Sequence, residues 1–281
     1  RIGLRDILGL NDFEATFDEL SALAAACLQY ALDVVMRRNR MKNPPFSIIG
    51  LGKLGGREIN FGSDLDIIFV SATKTKQLER LANLATELMK LLSERTDAGI
   101  TFQTDARLRP EGRDGLLVND LASHENYYRT RGELWELQTL SRARLITGDQ
   151  KTGSAFEIFA KKISNFKRPS LPLSAYNNNW KSQICEMRKI TESERTPVGL
   201  EEFAIKTGSG GLMDIEFVIQ AICLAEGWHE PNTMRALERA SQSKLITKKQ
   251  LTKLVGSYRE LRRLEHILRR WSYEGETLLP D

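Results

Sequence analysis

Two aspartates, Asp64 and Asp66, stand at the start of the apolar run in "GSDLDIIFV". Residues two positions apart on a strand share one face, and carboxylates held side by side repel each other unless a cation or a proton lies between them. A third acid, Asp105, lies on another predicted strand, "TFQTDARL". Mg²⁺ binds carboxylate oxygens together with water and substrate phosphates, so the three acids predict a magnesium site. The alternative is that they are surface charges or helix caps paired with nearby arginines.

The glycine-rich turn "GLGKLGG", residues 50–56, lies directly upstream of these acids. Its backbone N–H groups and Lys53 are suited to hold anionic oxygens beside a short helix. A plain tight connection between a strand and a helix is the alternative, and the P-loop pattern GxxxxGK[ST] is absent. Two metal ions about 4 Å apart at the acids would align an attacking oxygen and stabilise a leaving pyrophosphate. Together with the two aspartates that follow it, the turn is a much stronger indication of a site for anionic oxygens than it is alone.

Arg107 and Arg109 alternate along the strand that is predicted to carry Asp105, so we expect all three to share a face. Guanidinium groups there are suited to hold phosphate oxygens in bidentate pairs. Neutralisation of the acids is the alternative role, and the two roles are compatible. Arg142 and Arg144 in "SRAR" are predicted to lie on a helix, where one of them pairs with an acid.

Further along the chain, Lys206 and a "GSGG" loop precede the motif "DIEF". Its two acids, Asp214 and Glu216, are predicted to cap a helix and offset its dipole, with contact to substrate as the alternative. The isolated histidines are predicted to have no metal-binding or catalytic role: His124, His229 and His266.

The composition of the 281-residue chain is that of a globular protein, with 41% hydrophobic and 28% charged residues. A formal net charge of +4 permits an anionic substrate but does not by itself indicate a nucleic-acid binder, and no nucleic acid is expected as a partner. We find no apolar run of the roughly 20 residues that span a bilayer, so no membrane association is expected. Three widely spaced cysteines predict free thiols in a reducing cytoplasm. The first residue is Arg1 rather than Met, which suggests a piece of a longer chain.

Apolar periodicity predicts a helix over 12–39, stopped by "NPP", followed by alternating strands and helices. The predicted strands are "FSIIGLG", "DLDIIFV", "ITFQTDARLRP" and "LLV", and the further predicted helices cover 76–95, 121–146, a segment beginning near 213, 233–243 and 247–271. A stretch rich in Pro, Ser and Asn around 163–180 is expected to be a loop or linker. The pattern predicts a strand-containing half followed by an all-helical half.

Four motifs carry a resemblance to a known family: "GLGKLGGREINFGSDLDIIFV", "DARLRPEGRDGLLV", "WELQTLSRARLITGD" and "KTGSGGLMDIEFVIQ". The turn followed by D-x-D on a strand resembles the polymerase-β-like nucleotidyltransferases. The longer strings resemble the glutamine synthetase adenylyltransferase family over nearly the whole chain. The resemblance implies an α+β fold: a nucleotidyltransferase domain with an N-terminal helix and a small mixed sheet at 1–160, and an all-helical bundle domain at 161–281, with the active site between them.

Members of that family contain two similar halves, which attach AMP to a tyrosine of glutamine synthetase or remove it by phosphorolysis. A PII-type signalling protein controls the balance, in the regulation of nitrogen metabolism. The resemblance implies Mg²⁺ as cofactor and ATP as substrate, with the tyrosine hydroxyl attacking the α-phosphorus and Asp105 helping to deprotonate it. The catalytic, metal-binding acids are then Asp64, Asp66 and Asp105, and the nucleotide site is shaped by Gly52 and Ser63.

The sequence leaves the direction of the reaction open. Residues 210–217, "GGLMDIEF", resemble the attaching half, whereas "NYYRTRGELWE" and "LRRLEHILRR" resemble the removing half. We expect AMP attachment, because the extra anion at Asp214 disfavours an orthophosphate nucleophile; phosphorolytic removal of AMP is the alternative. A non-catalytic nucleotide-binding regulatory module is disfavoured by the complete set of acids. A polynucleotide polymerase is disfavoured because a basic stripe interleaved with aromatic residues is missing.

Overall fold

The computed structural model describes residues 1–72 and 77–271 and has an α+β fold. Its strands are β1 (Ser47–Gly50), β2 (Leu65–Ser71), β3 (Thr104–Asp105), β4 (Val118–Asp120) and β5 (Arg144–Gly148). They form one sheet in the order β3-β2-β1-β5, with β4 also paired to β2. β1 is antiparallel to β2 and β5, whereas β3 and β4 run parallel to β2. The prediction of a small mixed sheet is confirmed.

Helices surround this sheet in the described part of the chain. They are α1 (Ile2–Ile7), α2 (Phe13–Arg38), α3 (Gly52–Gly55), α4 (Leu78–Ser93), α5 (Leu121–Thr130), α6 (Leu134–Leu140), α7 (Gln150–Ile163), α8 (Trp180–Arg195), α9 (Leu212–Glu226), α10 (Thr233–Gln242) and α11 (Lys248–Trp271). The helix predicted over 76–95 corresponds to α4, and its predicted first residue lies outside the described residues. α2, α4, α10 and α11 agree with the apolar periodicity to within a few residues, whereas α7 and α8 lie where no helix was predicted.

α2 is the helix predicted before "NPP". Its first turn is capped by Asp12, whose carboxylate accepts a hydrogen bond from Ala15 N at 2.7 Å. By length and composition alone α2 is apolar enough to cross a membrane, which the sequence analysis did not expect. Its buried residues, which include Phe17 and Val35, pack in the core, where the helix contacts α4 and β5. This packing accounts for the apolar residues that α2 buries, whereas Leu23 and Tyr30 stay exposed.

Both faces of the sheet are buried, which explains the unbroken apolar run after Asp66. Ile67 and Phe69 of β2 face a core cluster that includes residues of α2 and α4. Ile68 and Val70 face a second cluster that includes residues of α5, α6 and α7. Because strand side chains alternate, successive residues enter different clusters. The acid at position 66 lies where β2 enters this packing.

The prediction of one helix over 121–146 is wrong beyond Leu140. α5 and α6 are separate helices, and Arg144–Gly148 form β5 against β1. The free edge of β1 requires hydrogen-bond partners for its backbone, and the β-branched Ile146 and Thr147 suit a strand there. Local periodicity does not reveal a pairing between segments so far apart in the sequence.

The third predicted strand is much shorter than "ITFQTDARLRP". β3 contains Thr104 and Asp105 alone, and a turn-rich loop follows it. Arg107 and Arg109 therefore lie in the loop, and the prediction that they share a strand face with Asp105 is wrong. The Asp105 carboxylate accepts a hydrogen bond from Arg107 N at 2.8 Å, and Arg109 N donates to the carbonyl of Ala106 at 3.4 Å, so the chain turns directly after Asp105.

The chain after α7 is described as helices and connecting loops. α9, α10 and α11 pack around a third apolar cluster, and α8 contacts α6 and α9. α7 contacts β1 and β5, and the predicted domain boundary between residues 160 and 161 falls inside this helix. The domain limits of 1–160 and 161–281 stay a prediction.

Candidate active site

Asp66 and Asp105 lie directly opposite each other on neighbouring parallel strands. They are register partners in the pairing of β2 with β3. Asp64 lies one residue before β2 and is exposed, whereas Asp66 and Asp105 are partly buried. Burial, together with the negative charges of Asp105 and Asp64, raises the pKa of Asp66 to about 6. The structure thus places Asp66 and Asp105 opposite each other at one end of the sheet, with Asp64 exposed just before β2.

Arg107 occupies the carboxylate of Asp105 in this structure. Its backbone N–H donates to Asp105 Oδ1 at 2.8 Å, and its Nε donates to Oδ2 at 2.7 Å. Burial alone would raise the pKa of Asp105, but these hydrogen bonds hold it below the ordinary value. Arg107 therefore performs the neutralising role that the sequence analysis left as an alternative. Within residues 1–72 and 77–271, no three metal-ligating side chains are grouped as a ready-made metal site.

Gly52 provides space for the Asp66 carboxylate. A Cβ atom at position 52 would lie 2.6 Å from Asp66 Oδ2, and Gly52 has a φ of +50°, which disfavours other residues. The adjacent Leu51 N–H donates to the backbone carbonyl of Asp66 at 2.9 Å. The glycine turn therefore fits closely against the first acid-bearing strand, on the side of the carboxylate.

Lys53 follows Gly52 but is bound to an acid of the helical part. Its Nζ lies 3.0 Å from Oε1 and 3.3 Å from Oε2 of Glu265 in α11. Burial and the neighbouring charge of Arg262 lower the pKa of Lys53 to about 8. Glu265 is fully buried and has its pKa held far below the ordinary value; burial opposes this, and the positive charges of Lys53 and Arg262 outweigh it. The sequence analysis did not identify Glu265.

Ser63 closes the turn that leads into Asp64. Its hydroxyl accepts a hydrogen bond from Asn60 N at 3.0 Å, and its own N–H donates to the carbonyl of Asn60 at 3.2 Å. The side chain of Asn60 is in turn held by His266, whose Nδ1 lies 2.8 Å from Asn60 Oδ1. The other ring nitrogen of His266 lies 2.9 Å from Asp6 Oδ1. His266 thus connects α11 and α1 to the turn before the acids.

Arg109, predicted to hold phosphate, binds its own loop. Its guanidinium donates to the backbone carbonyls of Ala106 at 2.8 Å, Arg113 at 3.0 Å and Gly115 at 3.1 Å. These three acceptors fix the shape of the loop after β3. In the structure Arg109 therefore stabilises the loop, whereas Arg107 binds the carboxylate of Asp105.

A buried ion pair joins the turn after α3 to β5 and α10. Glu58 pairs with Arg142, and it also accepts hydrogen bonds from Thr233 N at 3.0 Å and Thr233 Oγ1 at 3.1 Å. The expectation that one arginine of "SRAR" pairs with an acid is confirmed. Its placement on a helix is wrong, because Arg142 precedes β5 and Arg144 begins it.

Asp214, in the first turn of α9, contacts the loop that precedes this helix and the neighbouring helix α8. Asp214 accepts a hydrogen bond from Gly210 N at 2.6 Å, and Arg188 of α8 lies 2.6 Å from its Oδ1. The carboxylate of Asp214, predicted to cap this helix, thus binds the preceding loop. Its negative charge is paired with Arg188. From that loop, the positive charge of Lys206 acts on Asp66, a relation that spacing in the sequence did not reveal.

Two protein-family models match different parts of the chain. Residues 1–158 match the sequence model of the family described as "Glutamate-ammonia ligase adenylyltransferase", and residues 179–281 match the one described as "GlnD PII-uridylyltransferase". The similar curated proteins include one from Aromatoleum aromaticum, 36% identical over 276 residues, which covers 95% of this chain and 29% of the relative. One from Bifidobacterium longum (strain DJO10A) is 34% identical over 278 residues, 94% of this chain and 25% of the relative.

Both relatives are named "Bifunctional glutamine synthetase adenylyltransferase/adenylyl-removing enzyme". A third of the same name, from Streptomyces coelicolor, is 32% identical over 295 aligned residues, 100% of this chain and 29% of the relative. The chain thus spans less than a third of the length of these relatives. The resemblance read from the four motifs is confirmed, and the chain belongs to the glutamate-ammonia ligase adenylyltransferase family.

Proposed function

We propose that this chain is a nucleotidyltransferase unit with a polymerase-β-like site, and that it transfers AMP from ATP to a tyrosine of glutamine synthetase. The observation that carries the proposal is the register of Asp66 with Asp105 on neighbouring strands, beside Gly52. Two acids so placed serve no packing purpose and raise the electrostatic energy of the fold. Their arrangement suits a reaction in which cations and phosphates meet.

The acids fit a divalent cation such as Mg²⁺ by the chemistry of the donor set. Carboxylate oxygens are its preferred protein ligands, and the repulsion that raises the pKa of Asp66 is what a bound cation relieves. Asp66 and Asp105 would hold the ion, with Asp64 at the exposed entrance. When bound, the ion neutralises the nucleotide phosphates and stabilises the leaving pyrophosphate.

In the proposed reaction the tyrosine oxygen forms a bond to the α-phosphorus, and the bond from that phosphorus to the β-phosphate oxygen breaks. The chain's own residues position the groups, since such transfers depend on alignment and charge stabilisation. Asp105 is a weaker base than expected, because its hydrogen bonds from Arg107 hold its pKa low. Asp66 would be a ligand of the cation, so its raised pKa in the free chain does not make it the base.

The proposed partners are glutamine synthetase, ATP and a PII-type signalling protein, in the cytoplasm, without nucleic acid or membrane. The match of residues 179–281 to a PII-uridylyltransferase family supports control by a PII-type protein. Residues 161–281 are proposed to form the helical domain that closes the site. The contacts of Glu265 with Lys53 and of Thr233 with Glu58 support a site built from both parts.

Phosphorolytic removal of AMP is a second candidate, because "NYYRTRGELWE" and "LRRLEHILRR" resemble the removing half. We favour attachment because "GGLMDIEF" has the attaching form and Met213 stands where the removing half carries an arginine. The charge of Asp214 is paired with Arg188, which reduces its repulsion of an orthophosphate nucleophile. The same acids would serve either direction.

The test incubates the chain with unmodified glutamine synthetase, Mg²⁺ and ATP labelled at the α-phosphate. A parallel reaction contains adenylylated glutamine synthetase and orthophosphate. We expect label on the unmodified enzyme, abolished by Asp66→Asn. Release of ADP from the modified enzyme, without label transfer, would establish the second candidate. Binding of Mg²⁺ and ATP without either reaction would favour the non-catalytic regulatory module.

A further inference from the structure

The side chain of His266, on α11, is buried between two segments that lie far from it in the sequence. Its Nε2 lies 2.9 Å from Asp6 Oδ1 on α1, and its Nδ1 lies 2.8 Å from Asn60 Oδ1 in the turn before the acids. The rings of Phe17 and Phe61 flank the imidazole, with centroids 5.5 Å and 5.4 Å from its own. The ring is thereby held in place with each nitrogen facing one oxygen atom.

The oxygen atom that faces Nδ1 of His266 can only accept a hydrogen bond there. Asn60 Oδ1 also accepts from Phe61 N at 2.8 Å, which fixes the orientation of the amide group. Exchanging the amide oxygen and nitrogen would set the NH₂ group of Asn60 against this backbone N–H group. Nδ1 of His266 therefore carries a proton and donates to Asn60.

The oxygen atom that faces Nε2 belongs to an ionised carboxylate. The other oxygen of Asp6, Oδ2, lies 3.1 Å from Arg270 Nη1. Burial alone would raise the pKa of Asp6, but the hydrogen bonds from His266 and Arg270 outweigh it and hold this pKa below its ordinary value. An ionised carboxylate has no proton to donate, so Nε2 of His266 must carry one.

We propose that His266 is a doubly protonated imidazolium, and that this cation positions the turn leading to Asp64. A neutral imidazole has one donor and one acceptor nitrogen, so it would turn a lone pair toward one of the two oxygens. A buried cation requires a partner of opposite charge, which Asp6 supplies.

The turn transmits the position of His266 to the acids. Asn60 N donates to Ser63 Oγ at 3.0 Å, and Ser63 N donates to the carbonyl of Asn60 at 3.2 Å. Asp64 follows Ser63 directly, before β2. Groups that orient metal ligands from behind affect metal affinity and activity. This role rests on the proposed function, and it makes His266 a positioning residue that touches neither the cation nor the nucleotide.

The charge of His266 is measured on the unaltered chain, from the ring ¹⁵N chemical shifts by NMR at neutral pH. We expect both ring nitrogens of His266 to have the shift of protonated nitrogen. An unprotonated ring nitrogen in His266 would overturn the proposal. The measurement needs no variant, so it does not depend on whether a substituted chain folds.

The other two of the three histidines are internal controls. Nε2 of His229 lies 2.7 Å from the carbonyl of Ala143, its Nδ1 has no hydrogen-bond partner in residues 1–72 and 77–271, and burial lowers its pKa. Burial lowers the pKa of His124 to about 4. Each of these two rings should have one unprotonated nitrogen.

The positioning role is measured by the Mg²⁺ concentration that gives half-maximal AMP transfer. The amide nitrogen of glutamine lies near the position of Nε2, and that of asparagine lies near the position of Nδ1. We expect His266→Gln, which loses the donor to Asn60, to require about 10-fold to 100-fold more Mg²⁺. His266→Asn keeps that donor and should require a smaller increase. The matched control is His229→Gln, which should leave the Mg²⁺ requirement unchanged.

Thermal unfolding separates positioning from stability. Both substitutions of His266 should lower the melting temperature, because each removes one of two buried hydrogen bonds. If His266→Gln has the normal Mg²⁺ requirement, or if both variants change it in step with their melting temperatures, the positioning role is overturned while the proposed function stands. If the unaltered chain neither attaches nor removes AMP, the proposed function fails and the positioning role fails with it, whereas the ring shifts still decide the charge of His266.

Discussion

At the scale of single residues, Asp66 combines partial burial with two acidic neighbours, and its carboxylate is therefore unfavourable for the free protein. We predict that Asp66→Asn lowers the rate of AMP transfer by several orders of magnitude, because a ligand for the divalent cation is lost. The same change should leave the melting temperature equal or higher, since it removes a repulsion. Label transfer and thermal unfolding check the two parts.

The control for this change is Asp97→Asn, an exposed acid outside the site. It should alter neither transfer nor melting temperature. Near-normal transfer by Asp66→Asn at ordinary Mg²⁺ concentrations would place the catalytic site elsewhere.

Gly52 is the second residue whose identity the site requires. Gly52→Ala introduces a Cβ atom 2.6 Å from Asp66 Oδ2, at a backbone φ of +50°. We predict a loss of nucleotide affinity together with a destabilisation of about 1 to 2 kcal/mol from the backbone strain. Calorimetry and chemical denaturation check the two effects.

Gly9→Ala is the matched control for backbone strain, because Gly9 has a φ of +67° with no atom near the added Cβ. It should cost similar stability without affecting nucleotide binding. Equal nucleotide affinity in Gly52→Ala and the unaltered chain would show that the fit to Asp66 is not needed.

At the scale of elements, the loop after β3 gives different partners to Arg107 and Arg109, for which the sequence predicts the same role. Arg107→Ala removes a guanidinium beside Asp105 that is suited to bind phosphate, and we predict about tenfold weaker nucleotide binding at an unchanged melting temperature. Arg109→Ala removes three hydrogen bonds to backbone carbonyls, and we predict a loss of about 1 to 2 kcal/mol in unfolding free energy. Binding and denaturation measured on both variants check this; the same profile in both would contradict the division of roles.

α5 supplies a pH-dependent contribution to stability. His124 is fully buried, and its ring nitrogens have no hydrogen-bond partner among the described residues. Burial lowers its pKa from 6.5 to about 4, so between these values the unfolded chain binds a proton that the folded chain does not. Stability is therefore predicted to fall by up to about 3 kcal/mol as pH decreases from 6.5 to 4.

Denaturation midpoints across this pH range measure the effect. His124→Leu should show a flatter dependence on pH, whatever its absolute stability, because the titrating group is gone. An identical slope in both proteins would mean that other groups dominate the acid sensitivity.

At the scale of the whole molecule, buried charge pairs hold the sheet and the later helices together. Glu58→Ala would leave Arg142 buried without its acid and Thr233 without its acceptor. We predict a loss of about 3 to 5 kcal/mol in unfolding free energy. The exposed pair of Arg57 with Asp18 is the control, and Asp18→Ala should cost less than about 1 kcal/mol. Similar losses of unfolding free energy in the two variants would show that the buried pair contributes no more to stability than the exposed one.

The sequence by itself determined the main elements and the chemistry of the site. α2, α4, α10 and α11 followed from apolar periodicity, and β1 and β2 followed from short apolar runs bounded by turns. The acids at the start of β2 were identifiable because a charged residue beside a buried strand requires a reason. Family membership followed from four motifs in order. All of these signals are local, or are patterns that short stretches carry by themselves.

The tertiary structure alone decided which groups meet. Lys53 binds Glu265, a residue 212 positions later, and Arg142 binds Glu58, a residue 84 positions earlier. Arg109 donates hydrogen bonds to backbone carbonyls of its own loop. The segment "RLITG" forms a strand because it pairs with the edge of β1. A charge or an apolar run has many acceptable partners in the sequence. Packing selects among them, because burial makes each unpaired ion or backbone group costly, and that selection exists only in the folded chain.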